Sequence, residues 1–177
     1  YYLSSPFMLL SVFFPKENLH SFFDILVLLK LSLASMTFSI FLVNRFRKYL
    51  TENTESARTF FVVLLSCCYG LCQYTIAQSS NIMWIDGVIL LPLVILGIDR
   101  LFEEHRLIPY VVPLSLSFIT NYYIGFMVAI FSALYFCWQW ASHHKPQLLR
   151  KIALFVGGSL LSGMIGAIVL IPTYLAL

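Results

Sequence analysis

Apolar residues run along this chain in long blocks rather than in alternation, and short polar or charged clusters separate the blocks. A transmembrane helix needs roughly 20 apolar residues, within a range of about 17–25. Blocks of that order occupy about 22–43, 59–77, 82–98, 107–120, 122–141 and 152–170. None alternates as barrel strands do, and backbone groups in lipid must be satisfied inside their own segment, so the pattern predicts helices. The expected fold class is all-α, a polytopic transmembrane helix bundle of about six spans, with residues 1–177 forming part of one membrane-embedded domain. Ahead of the first block, "YYLSSPFMLLSVFFPKENLH" is apolar but broken by Pro6 and Pro15. Ser4-Ser5-Pro6 reads as a helix start, because serine can cap and proline suits a first turn. The run that follows is too short to span, which predicts an interfacial or re-entrant helix on the outer face within residues 1–20.

Basic residues orient the scheme. Arg45, Arg47, Lys48 and Arg58 bracket the first loop, Arg100 and Arg106 the next on that side, and Lys145, Arg150 and Lys151 the third. Nine of the eleven basic residues thus fall on one side, assigned to the cytoplasm, with only Lys16 opposite and Lys30 inside a span. Residues 107–141 carry no charge, yet basic residues flank both ends. A single helix of that length would measure about 52 Å, so the stretch is expected to be a hairpin with its tip at "TNYYIG", Thr120 to Gly125. The first arm, at about 21 Å, is shorter than a hydrocarbon core of about 30 Å. The tip should stop below the outer surface, where a polar turn is tolerable only against protein or a wet cleft. This points to a recessed, outward-facing pocket.

Composition supports lipid as the solvent. The chain is 60% hydrophobic and 11% charged, with a mean hydropathy of +0.87, against about 25% charge in soluble domains. The net charge of +3 is too small to suggest nucleic acid as a partner. The chain starts at Tyr1 with no basic n-region or small-residue cleavage site, and it reads as a piece of a longer membrane protein. Cys67, Cys68, Cys72 and Cys137 lie in apolar runs without a C-x-x-C pair and behave as small hydrophobes. His20, His105, His143 and His144 form no metal-ligand pattern, and no metal site is expected. The last block spaces Ser159, Gly163 and Ala167 by four, with Ser162 and Gly166 beside them, and the first carries Ser32, Ser35 and Ser39; both stripes suit close helix packing.

Under this topology the remaining polar residues gather at the outer end, including Asp24, Gln73, Gln78, Asn81, Asp86 and Asn121 to Tyr123. Two ionisable groups sit below the surface: Lys30, eight residues into the first block, and Asp86, about 6 Å below Ile82. Such charges cost roughly 2.5–3.5 kcal/mol near a helix centre, so each needs water, a partner or a proton. Two readings stand. Lys30 and Asp86 are a structural ion pair, or Lys30 snorkels outward. Alternatively they line the pocket, with Asp86 as general base towards an acceptor hydroxyl and Lys30 holding a donor phosphate. Trp84 is either an interfacial anchor or a stacking surface for a sugar.

The stretches "NIMWIDGVILLPLVILGIDRL" and "SLSFITNYYIGFM", preceded by "YYLSSPFMLL" and "FPKENL" and followed by "LIPTYLAL", resemble the bacterial YfhO family in order and over nearly the whole chain. The resemblance implies a large polytopic protein of the GT-C glycosyltransferase superfamily in the bacterial cell membrane. Such a protein would use a polyprenyl-phosphate-linked sugar donor on the outer face and a cell-wall polymer acceptor such as lipoteichoic acid. The residues that match the family pattern are Asn81, Trp84, Asp86, Asn121, Tyr122, Tyr123 and Gly125. Asn81, Trp84 and Asn121 to Tyr123 are then expected to shape the substrate pocket around Asp86. GT-C enzymes carry a key acidic residue in the first outer loop, which here is expected upstream of Tyr1, so the fragment alone is expected to be inactive. No cofactor can be read from these residues. The competing classes are a transporter or lipid flippase, which would show repeats and broken helices at the midplane, and a non-catalytic membrane scaffold.

In a full-length protein cleared of native cysteines, a cysteine at Asn121 or Tyr122 should react with an impermeant thiol reagent added outside cells, and one at His143 should not. Labelling of position 143 from outside would reverse the orientation.

Overall fold

A computed structural model describes residues 5–46, 55–142 and 148–176. Arg47, Lys48, His143, His144 and Lys145, on which part of the charge argument rests, and Ser4 of the expected helix start lie outside the described residues. Among the described residues all regular structure is helical. A 3-10 helix, Pro6–Phe13, and a short turn, Lys16–Asn18, lead into α1 (Leu19–Phe46); then follow α2 (Glu55–Gly70), α3 (Gln73–Ala77), α4 (Ile82–Glu104), α5 (Ile108–Thr120), α6 (Tyr122–Ser142) and α7 (Leu148–Ala176). Five stretches are long and apolar enough to cross a membrane, and α5 is a shorter apolar helix. The chain is therefore a multi-pass, all-α membrane protein, as the block pattern predicts. The many exposed large apolar side chains, among them Ile25, Leu28 and Met36 on α1, are what a lipid-facing surface requires.

The chain divides into two compact units, Tyr1–Pro92 and Leu93–Leu177, with the boundary inside α4. In the first unit, α1 buries Phe22, Leu26, Lys30, Ala34 and Thr37, a stripe at helical spacing. Ala34, Ile85 and Ile89 form a small core covered by Phe7, Leu33, Tyr69 and Val88, and Phe38 stacks on Tyr69 at 4.3 Å. Pro92 has no N–H to offer the carbonyl of Val88 four residues earlier. The Tyr69 hydroxyl donates to that carbonyl at 2.8 Å, so a neighbouring helix satisfies the group that proline leaves open. The block at 59–77 is not one helix. Cys72 takes an extended backbone and separates α2 from α3, while the Thr75 hydroxyl donates to Gly70 O at 2.7 Å and closes the break.

In the second unit, α5 packs against α6 and α7. The small-residue stripe of α7 does face a neighbour, but in a register one residue away from Ser159, Gly163 and Ala167. Gly158, Ser162 and Gly166 are the buried positions, and a Cβ on Gly158 or Gly166 would press on Tyr110 or Phe118, whereas one on Gly163 would meet open space. One residue is about 100° of rotation, enough to turn a row from the contact to its flank. Ser159 still reaches α5, meeting the Tyr110 hydroxyl at 2.8 Å. In the first unit Ser35 of the α1 serine row lies at a helix contact, against Gly70, and Ser32 turns back to Leu28 O.

Gly97 marks a close approach of α4 to α5, since a Cβ there would lie 2.6 Å from the Tyr110 Cα. Backbone cannot yield as a side chain can. Gly97→Val in the full-length protein should lower stability by about 1–3 kcal/mol or more, read as earlier thermal unfolding in detergent. An unchanged transition would mean that the two helices do not approach this closely.

Candidate functional site

Lys30 is carried inward by the buried stripe of α1, four residues after Leu26, and Asp86 by the second turn of α4. The two meet at 2.6 Å between Nζ and Oδ1, with 0% and 2% of their side chains exposed. The ammonium also donates to the Ile82 carbonyl at 2.9 Å and to the Ser5 hydroxyl at 3.4 Å, and it lies 5.3 Å from the Phe7 ring centre. Three N–H groups thus have three acceptors, and the aromatic face adds attraction for the cation. Ser5 precedes the 3-10 helix and Pro6 occupies its first turn, but the serine side chain makes no capping bond. Its hydroxyl goes to Lys30 instead. On the carboxylate side, Oδ2 of Asp86 is buried and accepts no hydrogen bond from the described residues.

Both charged side chains are thus almost fully buried. A cavity of about 540 Å³ lies beside them in the same unit, bordered by Asp24, Ser79, Ser80 and Ile82. Ile82 belongs to both features, because its carbonyl holds Lys30. Asn81, just before α4, is half-buried and donates from Nδ2 to Gln78 Oε1 at 3.1 Å. Its carbonyl accepts Trp84 N at 2.8 Å and opens the helix. Trp84 is half-buried.

Asn121, Tyr122 and Tyr123 belong to the second unit. The hairpin expected over residues 107–141 is present, with a first arm of 13 residues, but its turn is a single extended residue, Asn121. Asn121 is buried, and its Oδ1 accepts the backbone N–H of Tyr123 at 3.1 Å and of Ile124 at 3.3 Å. It caps α6, as asparagine does well. Tyr122 and Tyr123 are consequently first-turn helical residues rather than loop residues, half-buried and exposed respectively. Gly125 permits the tight return, since a Cβ there would lie 3.0 Å from the Phe118 backbone.

Sequence reasoning passed over a second buried carboxylate. Asp99, near the other end of α4, accepts the Tyr135 hydroxyl at 2.9 Å and Gln139 Nε2 at 2.7 Å on its Oδ1. Its signal was available: an acid within the α4 apolar run and a lone glutamine in "FCWQWA", both needing partners in lipid. Adjacent Arg100 made Asp99 look like part of a solvated loop, yet it is buried. Among the described residues no group of three or more His, Cys, Asp or Glu side chains could hold a metal.

The model of the family described as bacterial membrane protein YfhO matches residues 1–177. A Bacillus subtilis (strain 168) protein described as uncharacterized protein YfhO is 29% identical over 90 residues, covering 49% of this chain and 10% of the relative, so the chain corresponds to a small part of that protein's length. No solved structure matches the chain.

Removing one partner of a buried ion pair strands the other charge. Lys30→Met should therefore destabilise the full-length protein by about 3–5 kcal/mol. Adding Asp86→Asn should restore a good part of that loss, because the stranded charge is then gone. Additive losses in thermal unfolding of the single and double variants would show that the two side chains do not interact.

Proposed function

Because the chain belongs to the bacterial membrane protein YfhO family, we propose that it forms part of a membrane glycosyltransferase. In this reading the enzyme moves a sugar from a polyprenyl-phosphate donor to a cell-wall or surface polymer at the outer face of the bacterial cell membrane. The observation that carries the reading is the state of Asp86. It is a buried carboxylate beside Lys30, with one oxygen, Oδ2, that takes no hydrogen bond from the described residues. A carboxylate oxygen with an open lone pair suits a general base for an acceptor hydroxyl. The nine basic residues on the opposite side support an outward orientation for this end of α4.

Lys30 has a narrower role than a free phosphate-binding lysine. Its three N–H groups are already directed at Asp86, Ile82 and Ser5. A donor phosphate would have to displace the longest of these, the 3.4 Å bond to Ser5. Otherwise Lys30 acts as a positioning residue that holds the Asp86 carboxylate in place. Asn81 and Trp84, at the head of α4, are pocket-shaping positions beside Asp86, and Asn121, Tyr122 and Tyr123 order the head of α6 within the second unit.

The near-complete burial of the pair favours a second reading, in which it is only a clamp between α1 and α4. Turnover separates the two. With purified full-length protein, a polyprenyl-phosphate sugar and a polymer acceptor, Asp86→Asn should lower donor consumption by about 10²–10⁴-fold while donor affinity changes little. Near-native turnover in Asp86→Asn would remove Asp86 as the base and leave it as a clamp.

A further inference from the structure

The cavity beside the ion pair is built from one face of α1 and the turn that leads into α4. Phe23, Asp24, Val27 and Leu28 line one wall, and Ser79 and Ser80 stand on the other. On α1 these positions form a row adjoining the buried row of Phe22, Leu26 and Lys30. The cavity volume of about 540 Å³ falls within the ~300–1,000 Å³ typical of small-molecule sites.

Its two ends differ in chemistry. Leu28 lies four residues deeper than Asp24, about 6 Å along the helix, and is 65% exposed. The deeper end is therefore continuous with the lipid-facing surface of α1. The shallow end holds Asp24, Ser79 and Ser80. α1 has 28 residues and measures about 42 Å, against a hydrocarbon core of about 30 Å. Asp24 is the sixth residue of α1, about 8 Å from its start, and an end of a helix this long can reach the headgroup level.

The polar end contains a carboxylate and two hydroxyls, and among the described residues no Lys, Arg or His lines it. The nearby cation, Lys30, is buried and engaged with Asp86, Ile82 and Ser5. A phosphodiester head group would meet an uncompensated negative charge at Asp24. Serine hydroxyls both donate and accept, as sugar hydroxyls do, whereas an ammonium head only donates. We infer that this cavity binds the uncharged, polyhydroxylated head group of a membrane glycolipid, with its hydrocarbon lying along Val27 and Leu28. The inference concerns lipid selection and stands apart from the transfer reaction.

The test reads binding without turnover, so its failure leaves the Asp86 experiment untouched. Full-length protein carrying p-benzoyl-phenylalanine at position 27 is placed in phosphatidylcholine vesicles. These contain equal minor amounts of a dihexosyl diacylglycerol, phosphatidylglycerol and lysyl-phosphatidylglycerol. The same label at position 36, where Met36 is an exposed residue of α1 outside the cavity lining, reports the bulk lipid. After irradiation, mass spectrometry should show glycolipid adducts at position 27 enriched about tenfold over phosphatidylglycerol relative to position 36, the ratio expected from one hydrogen bond to a charged group. Asp24→Lys should shift the preference to phosphatidylglycerol, and Asp24→Asn should raise the phosphatidylglycerol adduct without loss of folding. Adducts at position 27 that mirror those at 36, a dominant lysyl-phosphatidylglycerol adduct, or a preference unmoved by both Asp24 variants would each overturn the assignment.

Discussion

Polar groups buried between lipid-facing helices need partners from the protein, and that requirement does much to organise the described structure. Apolar side chains gain little by choosing a neighbouring helix over a lipid tail. A carbonyl freed by proline, a helix broken at an extended residue and a charged side chain inside a span all require specific partners. The Tyr69 hydroxyl on Val88 O, the Thr75 hydroxyl on Gly70 O and the Lys30 ammonium on Asp86 are those partners. Each joins residues distant in the chain or closes a local break, and so each sets which helix faces which.

The same requirement bears most visibly on α4. It is the helix with a buried carboxylate near each end, Asp86 in the first unit and Asp99 in the second. The two are stabilised differently. Asp86 faces a cation and keeps one oxygen without a hydrogen bond from the described residues, whereas Asp99 accepts two hydrogen bonds from α6 on one oxygen.

Small residues play the complementary part. Gly70, Gly97 and Gly125 sit where a Cβ would enter the neighbouring helix. Gly158 and Gly166 likewise let α7 come close enough to α5 for the short hydroxyl groups of Ser159 and Ser162 to reach it.

The sequence by itself determined the all-α class, the positions of the apolar helices and the short arm before Asn121, because lipid imposes length and internal hydrogen bonding on any spanning segment. It also singled out Lys30 and Asp86, since ionisable residues inside apolar blocks are conspicuous. It left open whether the two meet, because their positions lie 56 residues apart and their pairing depends on how α1 and α4 rotate about their own axes. Rotation likewise decided that Gly158, Ser162 and Gly166, rather than the neighbouring row, face α5. Tertiary structure alone revealed that Ser5 serves Lys30 instead of a helix end, that Asn121 is a cap rather than part of a loop, and that Asp99 is buried beside Gln139. Local pattern specifies where a helix runs. Which way its polar side chains turn is settled only by the partners that packing brings within reach.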